Sequence, residues 1–134
     1  VYKRQVIPLM KEKRDGLIIN VSSWSGNHVS LLSGVSYTSS KHALNAMTET
    51  INMKYCNLGI RATALCPGEV ATAILDKRPK KLSIEQKNKM LQPDDLGQTI
   101  VFLCQMPKHV CINELTISPT WHRRYIADLG IEKL

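Results

Sequence analysis

Two short apolar runs on either side of a long helical pattern constrain this chain more than any other feature. The runs occupy residues 17–21 and 60–66, and each is bounded by turn residues, as is typical of strands buried in a sheet. Residues 37–58 between them have apolar side chains at helical spacing, and Gly59 provides a stop signal. A strand, a helix and a strand in this order predict parallel strands joined by a right-handed crossover.

The rest of the pattern extends the same arrangement. Residues 1–14 predict the end of a helix that contains Pro8, and Asp94 and Asp95 predict the start of a helix that continues to Gln105. Residues 114–118 predict a third strand. We therefore predict an α/β fold with three parallel strands and covering helices. The strand at residues 17–21 is expected to be buried on both faces and the charged tail to be loose.

Two loops follow the first two strands, at residues 22–36 and 67–90. In open parallel sheets ligands bind at the carboxyl ends of the strands, so both loops belong to the predicted binding edge. The first loop contains Ser22, Ser23 and Ser25, any of which can offer a hydroxyl to a substrate oxygen.

Tyr37 and Lys41 are four residues apart in the predicted helix, so they share one face of it. A phenol has an ordinary pKa near ~10. A nearby ammonium favours the phenolate form. Such a pair can act as a general acid/base that interconverts a carbonyl and an alcohol.

Three segments in register carry a family resemblance. They read Gly-Leu-Ile-Ile-Asn-Val-Ser-Ser-Trp-Ser-Gly at residues 16–26, Tyr-Thr-Ser-Ser-Lys-His-Ala-Leu at 37–44 and Pro-Gly-Glu-Val-Ala-Thr at 67–72. In this order the chain resembles the short-chain dehydrogenase/reductases. The resemblance implies the C-terminal half of a Rossmann-type doubly wound parallel sheet.

The resemblance also implies roles for individual residues. Ser23 would polarise the substrate oxygen, Tyr37 would donate the proton in reduction, and Lys41 would hold the nicotinamide ribose and tune Tyr37. Ser23 and Tyr37 are 14 positions apart, one more than the family pattern leads us to expect. Ser22 and Ser25 therefore remain alternatives to Ser23.

The cofactor implied by the resemblance is NADP, with NAD left open. Its contacts would be Tyr37 and Lys41 together with a turn formed by Pro67, Gly68, Val70 and Thr72. The glycine-rich dinucleotide turn and the catalytic Asn of the family have no counterpart in residues 1–134. We expect these residues to be the C-terminal catalytic part of one truncated domain, lacking its dinucleotide-binding part and leaving the first strand with an unpaired edge.

The segments at residues 92–96 and 114–120 resemble the family branch that acts with NADP on small 3-hydroxy acids and related alcohols. The implied reaction is hydride transfer between NADP(H) and a small hydroxyl or carbonyl substrate. The alternative is a catalytically silent fragment, or a dimerisation module, that cannot bind the cofactor alone. By family resemblance the full-length enzyme would be a homodimer or homotetramer.

Composition argues against other classes of protein. The net charge is +7, but the charges are scattered and aromatic residues make up only 5% of the chain, so we expect no nucleic-acid partner. A lysine-rich stretch at residues 77–81 is expected to be a solvated part of the substrate loop.

The four cysteines lack metal-ligand spacing, so we expect no metal site. We expect them to be small buried side chains in a reducing, cytoplasmic compartment. We expect no membrane association.

Overall fold

A computed structural model describes residues 2–29, 31–77, 81–128 and 130. Its helices and strands alternate along the chain, except that two helices stand between the last two strands. They are α1 (Tyr2–Lys13), β1 (Gly16–Val21), α2 (Gly34–Tyr55), β2 (Ile60–Pro67), α3 (Ile84–Asn88), α4 (Pro93–Gln105), β3 (Glu114–Ile117) and α5 (Arg123–Asp128). Short 3-10 turns occupy Trp24–Gly26, Cys56–Leu58 and Ala73–Lys77.

The three strands form one parallel sheet in the order β1-β2-β3. Gly16 of β1 pairs with Ile60 of β2, and Ala64 of β2 pairs with Glu114 of β3. β2 lies between the other two strands, and seven of its eight residues are buried. The predicted Rossmann-type α/β class is confirmed.

The core lies between the sheet and the helices α1 and α2. Ile18 of β1, Ile51 of α2 and Ile60 and Ala62 of β2 form a buried cluster. Partly buried side chains from α1 and from the end of α2 pack around it, namely Ile7, Met10, Tyr55 and Leu58. Ile51 attaches α2 to the sheet, whereas Met47 and Met53 of the same apolar pattern are exposed.

β1 differs from the prediction because only one of its faces is closely covered. Ile18 and Asn20 are buried. Ile19 between them is partly exposed, and Val21 at the end of the strand is half exposed. Ile18 belongs to the core beneath α1 and α2, and Asn20 donates a hydrogen bond to the Thr48 hydroxyl on α2. Burial along β1 thus alternates with the period of two that a half-covered strand shows.

The predicted boundaries of two helices also need correction. α2 starts at Gly34 rather than residue 37, and it passes at Tyr55 into a 3-10 turn that Gly59 ends with a φ of 71°. In α4 the cap is Gln92, and Asp95 accepts a hydrogen bond from the Gln92 amide. The sequence identified the stop at Gly59 correctly, because only glycine adopts that backbone conformation without strain.

The tail is more ordered than predicted over residues 123–128, which form α5. Residues 129 and 131–134 lie outside the described part of the chain. The cysteine prediction holds for Cys66, which is buried, and is wrong for Cys56, Cys104 and Cys111, whose side chains lie on the surface. Among the described residues, no helix is long and apolar enough to cross a membrane.

Candidate active site

The loop after β1 presents three serine hydroxyls in different settings. Ser22 is buried, and its hydroxyl donates to the Lys41 carbonyl at 3.3 Å. Ser25 is also buried, and its hydroxyl pairs with that of Ser33 at 2.8 Å. The Ser23 hydroxyl accepts a hydrogen bond from the Ser25 amide at 3.1 Å, which leaves its own proton free to be donated. Ser23 is only partly buried, so it is the most accessible of the three.

Tyr37 lies in the first turns of α2, with 46% of its surface exposed. The Lys41 ammonium, one turn further on, lies 5.6 Å from the centroid of the Tyr37 ring. It also donates a hydrogen bond to the Val21 carbonyl, the last of β1, at 3.2 Å. Lys41 therefore connects the phenol to the carboxyl end of the strand from which the serines follow.

The structure thus brings Tyr37 and Lys41 together, and it holds Ser23 two residues beyond the carbonyl that Lys41 contacts. Among the described residues, no hydrogen bond joins the hydroxyls of Ser23 and Tyr37. A substrate oxygen within reach of both hydroxyls would have two donors, and such a pair stabilises charge that develops on that oxygen.

The turn after β2 is held in place by backbone contacts. Pro67 ends β2, and the Gly68 amide donates to the Ile117 carbonyl of β3 at 2.7 Å. A side chain at Gly68 would be crowded, because a Cβ there would lie 3.2 Å from both Pro119 and Ser118. This turn and the Ser23 loop leave the sheet at the same edge, as predicted.

Beyond that turn the chain becomes more exposed. Val70 is partly buried and forms an isolated bridge with Leu91, whereas Thr72 is exposed. Of the predicted lysine-rich stretch, residues 78–80 lie outside the described residues. Asp76 forms an ion pair with Lys87 at 2.5 Å, and this contact lowers the pKa of the Asp76 carboxyl.

The C-terminal segment, residues 122–125, packs over the Ser23 loop in a cluster of aromatic rings. No sequence pattern predicted this cluster. Trp24 stacks on His28, with ring centroids 3.9 Å apart, and His122 lies 5.2 Å from Trp24. His122 also stacks on Tyr125, and the Arg124 guanidinium lies 4.9 Å above the Trp24 ring. These residues are far apart in the chain and share no periodicity, so only the folded chain shows that they meet.

An ion pair fixes this segment to the turn after β2. Arg123 contacts both carboxylate oxygens of Glu69, one of them through its Nε at 2.6 Å. The contact with Glu69 raises the pKa of Arg123. Burial is the largest cause that lowers the pKa of His122. The C-terminal segment therefore connects the two loops that carry the predicted site residues.

Comparison with known proteins agrees with this arrangement. The family model described as short chain dehydrogenase matches residues 2–83. Human dehydrogenase/reductase SDR family member 11 is 33% identical over 127 residues, which cover 87% of this chain and 49% of that protein.

Solved structures show the same fold. A β-ketoacyl-[ACP] reductase from Bacteroides thetaiotaomicron has a TM-score of 0.70 at 33% identity, covering 92% of this chain and 48% of its own. A serine dehydrogenase from Escherichia coli has a TM-score of 0.71 at 25% identity, with 87% and 46% covered.

The chain spans about half the length of the curated relatives that it matches. The matched region includes both the Ser23 loop and the start of α2. On the evidence of its sequence motifs, its parallel sheet and the family match, the chain belongs to the short-chain dehydrogenase/reductase family.

Proposed function

We propose that this chain is the catalytic part of an oxidoreductase that transfers a hydride between NADP(H) and a small hydroxyl or carbonyl substrate. The observation that carries the proposal is the position of the Lys41 ammonium, which lies 5.6 Å from the Tyr37 ring and is held by the last carbonyl of β1. This places a cation beside a half-exposed phenol at the edge of the sheet where ligands bind.

Tyr37 is proposed as the general acid/base. In reduction its phenolic proton passes to the substrate oxygen, and in oxidation the substrate hydroxyl returns a proton to it. The Lys41 ammonium stabilises the phenolate left after the proton is given. Its hydrogen bond to the Val21 carbonyl restrains the long lysine side chain near the phenol.

Ser23 is proposed to steady the substrate oxygen. Its hydroxyl retains a donatable proton, whereas the hydroxyl of Ser22 donates to the Lys41 carbonyl and that of Ser25 pairs with Ser33. A donor aimed at an oxygen that gains negative charge lowers the barrier most when it is already in position. This favours Ser23 over the two alternatives.

The cofactor-binding residues are proposed to be Tyr37 and Lys41, with Pro67, Gly68, Val70 and Thr72 in the turn after β2. They lie at the edge of the sheet where ligands bind, with the Gly68 amide held by the Ile117 carbonyl and the Thr72 side chain exposed. The nicotinamide, when bound, supplies or accepts the hydride. NADP is preferred to NAD because of the resemblance of residues 92–96 and 114–120 to an NADP-dependent branch.

A small substrate agrees with the names of two structural relatives, a serine dehydrogenase and a β-ketoacyl-[ACP] reductase. Serine is a 3-hydroxy acid, and a β-ketoacyl group carries its ketone at the equivalent carbon 3. We therefore propose a small hydroxy acid or the corresponding ketone as substrate, in a cytoplasmic enzyme that forms a homodimer or homotetramer at full length.

A second candidate function follows from the length of the chain. Because it spans about half of its relatives, we propose that residues 1–134 form the C-terminal part of one domain and that the dinucleotide-binding part is missing from them. On its own such a piece would be catalytically silent, acting at most as a dimerisation module.

A hybrid protein tests the proposed activity. The first half of the human relative is fused ahead of this chain, and oxidation of NADPH and NADH is followed with small ketones and 3-keto acids. We expect turnover in the hybrid and a loss of about 100-fold or more in Tyr37→Phe, which removes the transferable proton. Thr38→Ser, next to it in the helix, is the matched control and should stay active. Undiminished turnover in Tyr37→Phe would refute the role of this residue.

The 134-residue chain alone separates the two candidates. Titration with NADPH, followed by calorimetry, is expected to show no tight binding, because the chain supplies only one end of the cofactor site. Tight binding by the chain alone would contradict the proposal that its cofactor site is incomplete.

A further inference from the structure

Hydrogen bonds between polar side chains attach residues 22–27, which we call the Ser23 segment, to α2 and to β3. Asn45 of α2 donates from its side-chain amide to the Asn27 side-chain oxygen at 2.6 Å. Asn27 in turn donates to the Glu114 carboxylate at 2.5 Å and more weakly to the Thr116 hydroxyl at 3.4 Å. We call the three residues Asn27, Asn45 and Glu114 the amide bridge.

We propose that Asn27 and Asn45 are positioning residues. They fix the position of the Ser23 segment relative to α2, the helix that carries Tyr37 and Lys41. This inference rests on the proposed function, since it concerns the geometry of that same site. Neither residue is given a role by the sequence motifs, and neither is proposed to touch the substrate or the cofactor.

The geometry of α2 supports this role. Tyr37, Lys41 and Asn45 are spaced by four residues each, so they form one stripe along the helix, with Asn45 about 12 Å below Tyr37. Asn27 lies four residues after Ser23, at the end of the 3-10 turn. The amide bridge therefore joins the far end of the Ser23 segment to the same stripe that carries the phenol and the ammonium.

The segment is also joined to that stripe at its near end. The Ser22 hydroxyl donates to the Lys41 carbonyl, so Ser23 lies between two attachments to α2. Gly26 shows how closely the segment approaches the helix, because a Cβ there would lie 2.7 Å from the Ser22 Oγ and 2.8 Å from the Asn45 Nδ2. With both ends attached, Ser23 has little freedom to move relative to Tyr37.

The bridge has a part-buried contact at Asn45 and an exposed, charged contact at Glu114. Asn45 also donates to the sulfur of Cys66 at 3.5 Å, and burial raises the pKa of that thiol, which keeps it neutral. The Glu114 carboxylate is a charged acceptor, and charged acceptors form stronger hydrogen bonds than neutral ones. Beyond Asn27 the chain is poorly packed, since Val29, Leu31 and Leu32 are exposed. The segment is therefore restrained by these polar contacts together with the packing of Trp24, and not by the residues that follow it.

Amide hydrogen exchange in the 134-residue chain tests the inference without requiring activity. The Ser25 amide donates to the Ser23 hydroxyl and the Gly26 amide to the Ser23 carbonyl, so both report opening of the turn. In Asn45→Ala and in Asn27→Ala we expect these two amides to exchange about tenfold faster, the effect of losing one hydrogen bond. Unchanged exchange in both variants would overturn the inference.

Two controls separate positioning from general loss of stability. Asn52, two turns further along α2, makes two hydrogen bonds to Ala62 of β2. Asn52→Ala is therefore expected to destabilise the fold while leaving the ratio of Ser25 exchange to core exchange unchanged. Glu114→Gln keeps a neutral acceptor for Asn27 and should loosen the turn less than Glu114→Ala, which removes the acceptor. Equal loosening by Asn52→Ala would mean that the bridge is only structural.

The hybrid enzyme adds a kinetic measurement. We expect Asn45→Ala to lower kcat about tenfold or more while changing the KM for NADPH less than twofold, because the cofactor turn is not part of the bridge. An unchanged kcat in an active hybrid would overturn the inference while leaving the proposed function intact. An inactive hybrid whose isolated chain still shows faster exchange in Asn45→Ala would count against the proposed function and not against the positioning.

Discussion

The half of α2 before Asn45 and the half after it differ in how much of their surface is buried against the sheet. In the half that follows Asn45, Thr48 and Ile51 are buried against the sheet, and Asn52 hydrogen-bonds both the amide and the carbonyl of Ala62. In the half that precedes it, Thr38 is the one buried residue among those described, and Val35 is 83% exposed. One helix thus has an anchored end and an exposed end.

The difference shows how a rigid scaffold can present reactive groups. The anchored end gains its stability from apolar burial and from Asn52, which supplies β2 with the hydrogen bonds that β3 does not reach at Ala62. The exposed end is held by polar contacts with the end of β1 and the loop that follows it, among them the hydrogen bonds from Ser22 to the Lys41 carbonyl and from Lys41 to the Val21 carbonyl. Substitutions at the anchored end should therefore lower the free energy of unfolding, whereas those at the exposed end should change catalytic turnover.

The largest expected effect on stability is at the anchored end. Ile51 is 6% exposed and belongs to the central cluster. Ile51→Ala removes buried methyl groups and leaves a cavity, so we expect the free energy of unfolding to fall by about 2–4 kcal/mol. Urea denaturation followed by circular dichroism measures this change.

Val35→Ala is the matched control at the exposed end. It also shortens a branched aliphatic side chain on the same helix, but its expected effect is below about 0.5 kcal/mol. Similar losses in the two variants would mean that α2 is packed along its whole length and that the comparison is wrong.

A smaller effect is expected for the ion pair that attaches the C-terminal segment to the turn after β2. Glu69 and Arg123 are each more than two-thirds buried and meet in a bidentate contact. We expect Arg123→Ala to lower the free energy of unfolding by about 1–2 kcal/mol, a value between those of surface and fully buried pairs.

The exposed pair of Lys108 and Asp15 provides the comparison for Arg123→Ala. Lys108→Ala should cause no measurable change in the same denaturation experiment, because water already screens both charges. If Arg123→Ala also leaves the free energy of unfolding unchanged, the C-terminal segment is held by its ring contacts rather than by the ion pair.

Sequence periodicity was sufficient for the elements of the fold that obey local rules. The apolar runs of β1 and β2, the stop at Gly59 and the helical spacing of Tyr37 and Lys41 all follow from residues close together in the chain. The burial of β1 was predicted wrongly because it depends on which helices cover each face, and one short run of residues does not contain that information.

The candidate site shows the same division. Residues that belong to motifs, such as Ser23, Tyr37 and Lys41, could be named from the sequence, whereas the residues that hold them could not. Asn45 lies 18 residues from Asn27, and Glu69 lies 54 residues from Arg123. Such contacts are set by tertiary packing and carry no periodic signal, which is also why the tail was wrongly expected to be loose.

The smallest expected effect is a pH dependence where His122 of the C-terminal segment packs on Trp24. Burial lowers the pKa of His122 below its usual value of 6.5, Glu69 opposes this shift, and Arg124 and His28 add to it. The unfolded chain therefore binds a proton more readily than the folded chain does. Stability is unaffected well above pH 6.5 and is lost as the pH falls below that value towards the lowered pKa.

Thermal unfolding at pH 7.5 and pH 5.5 measures this loss. In His122→Phe the ring stays available to stack between Trp24 and Tyr125 but does not titrate, so we expect a smaller decrease in Tm between the two pH values. His109→Phe, at an exposed position, should keep the decrease of the original chain. Equal decreases in all three proteins would show that His122 titrates alike in the folded and unfolded chains. The contact of the C-terminal segment with Trp24 would then not be proton-sensitive at this residue.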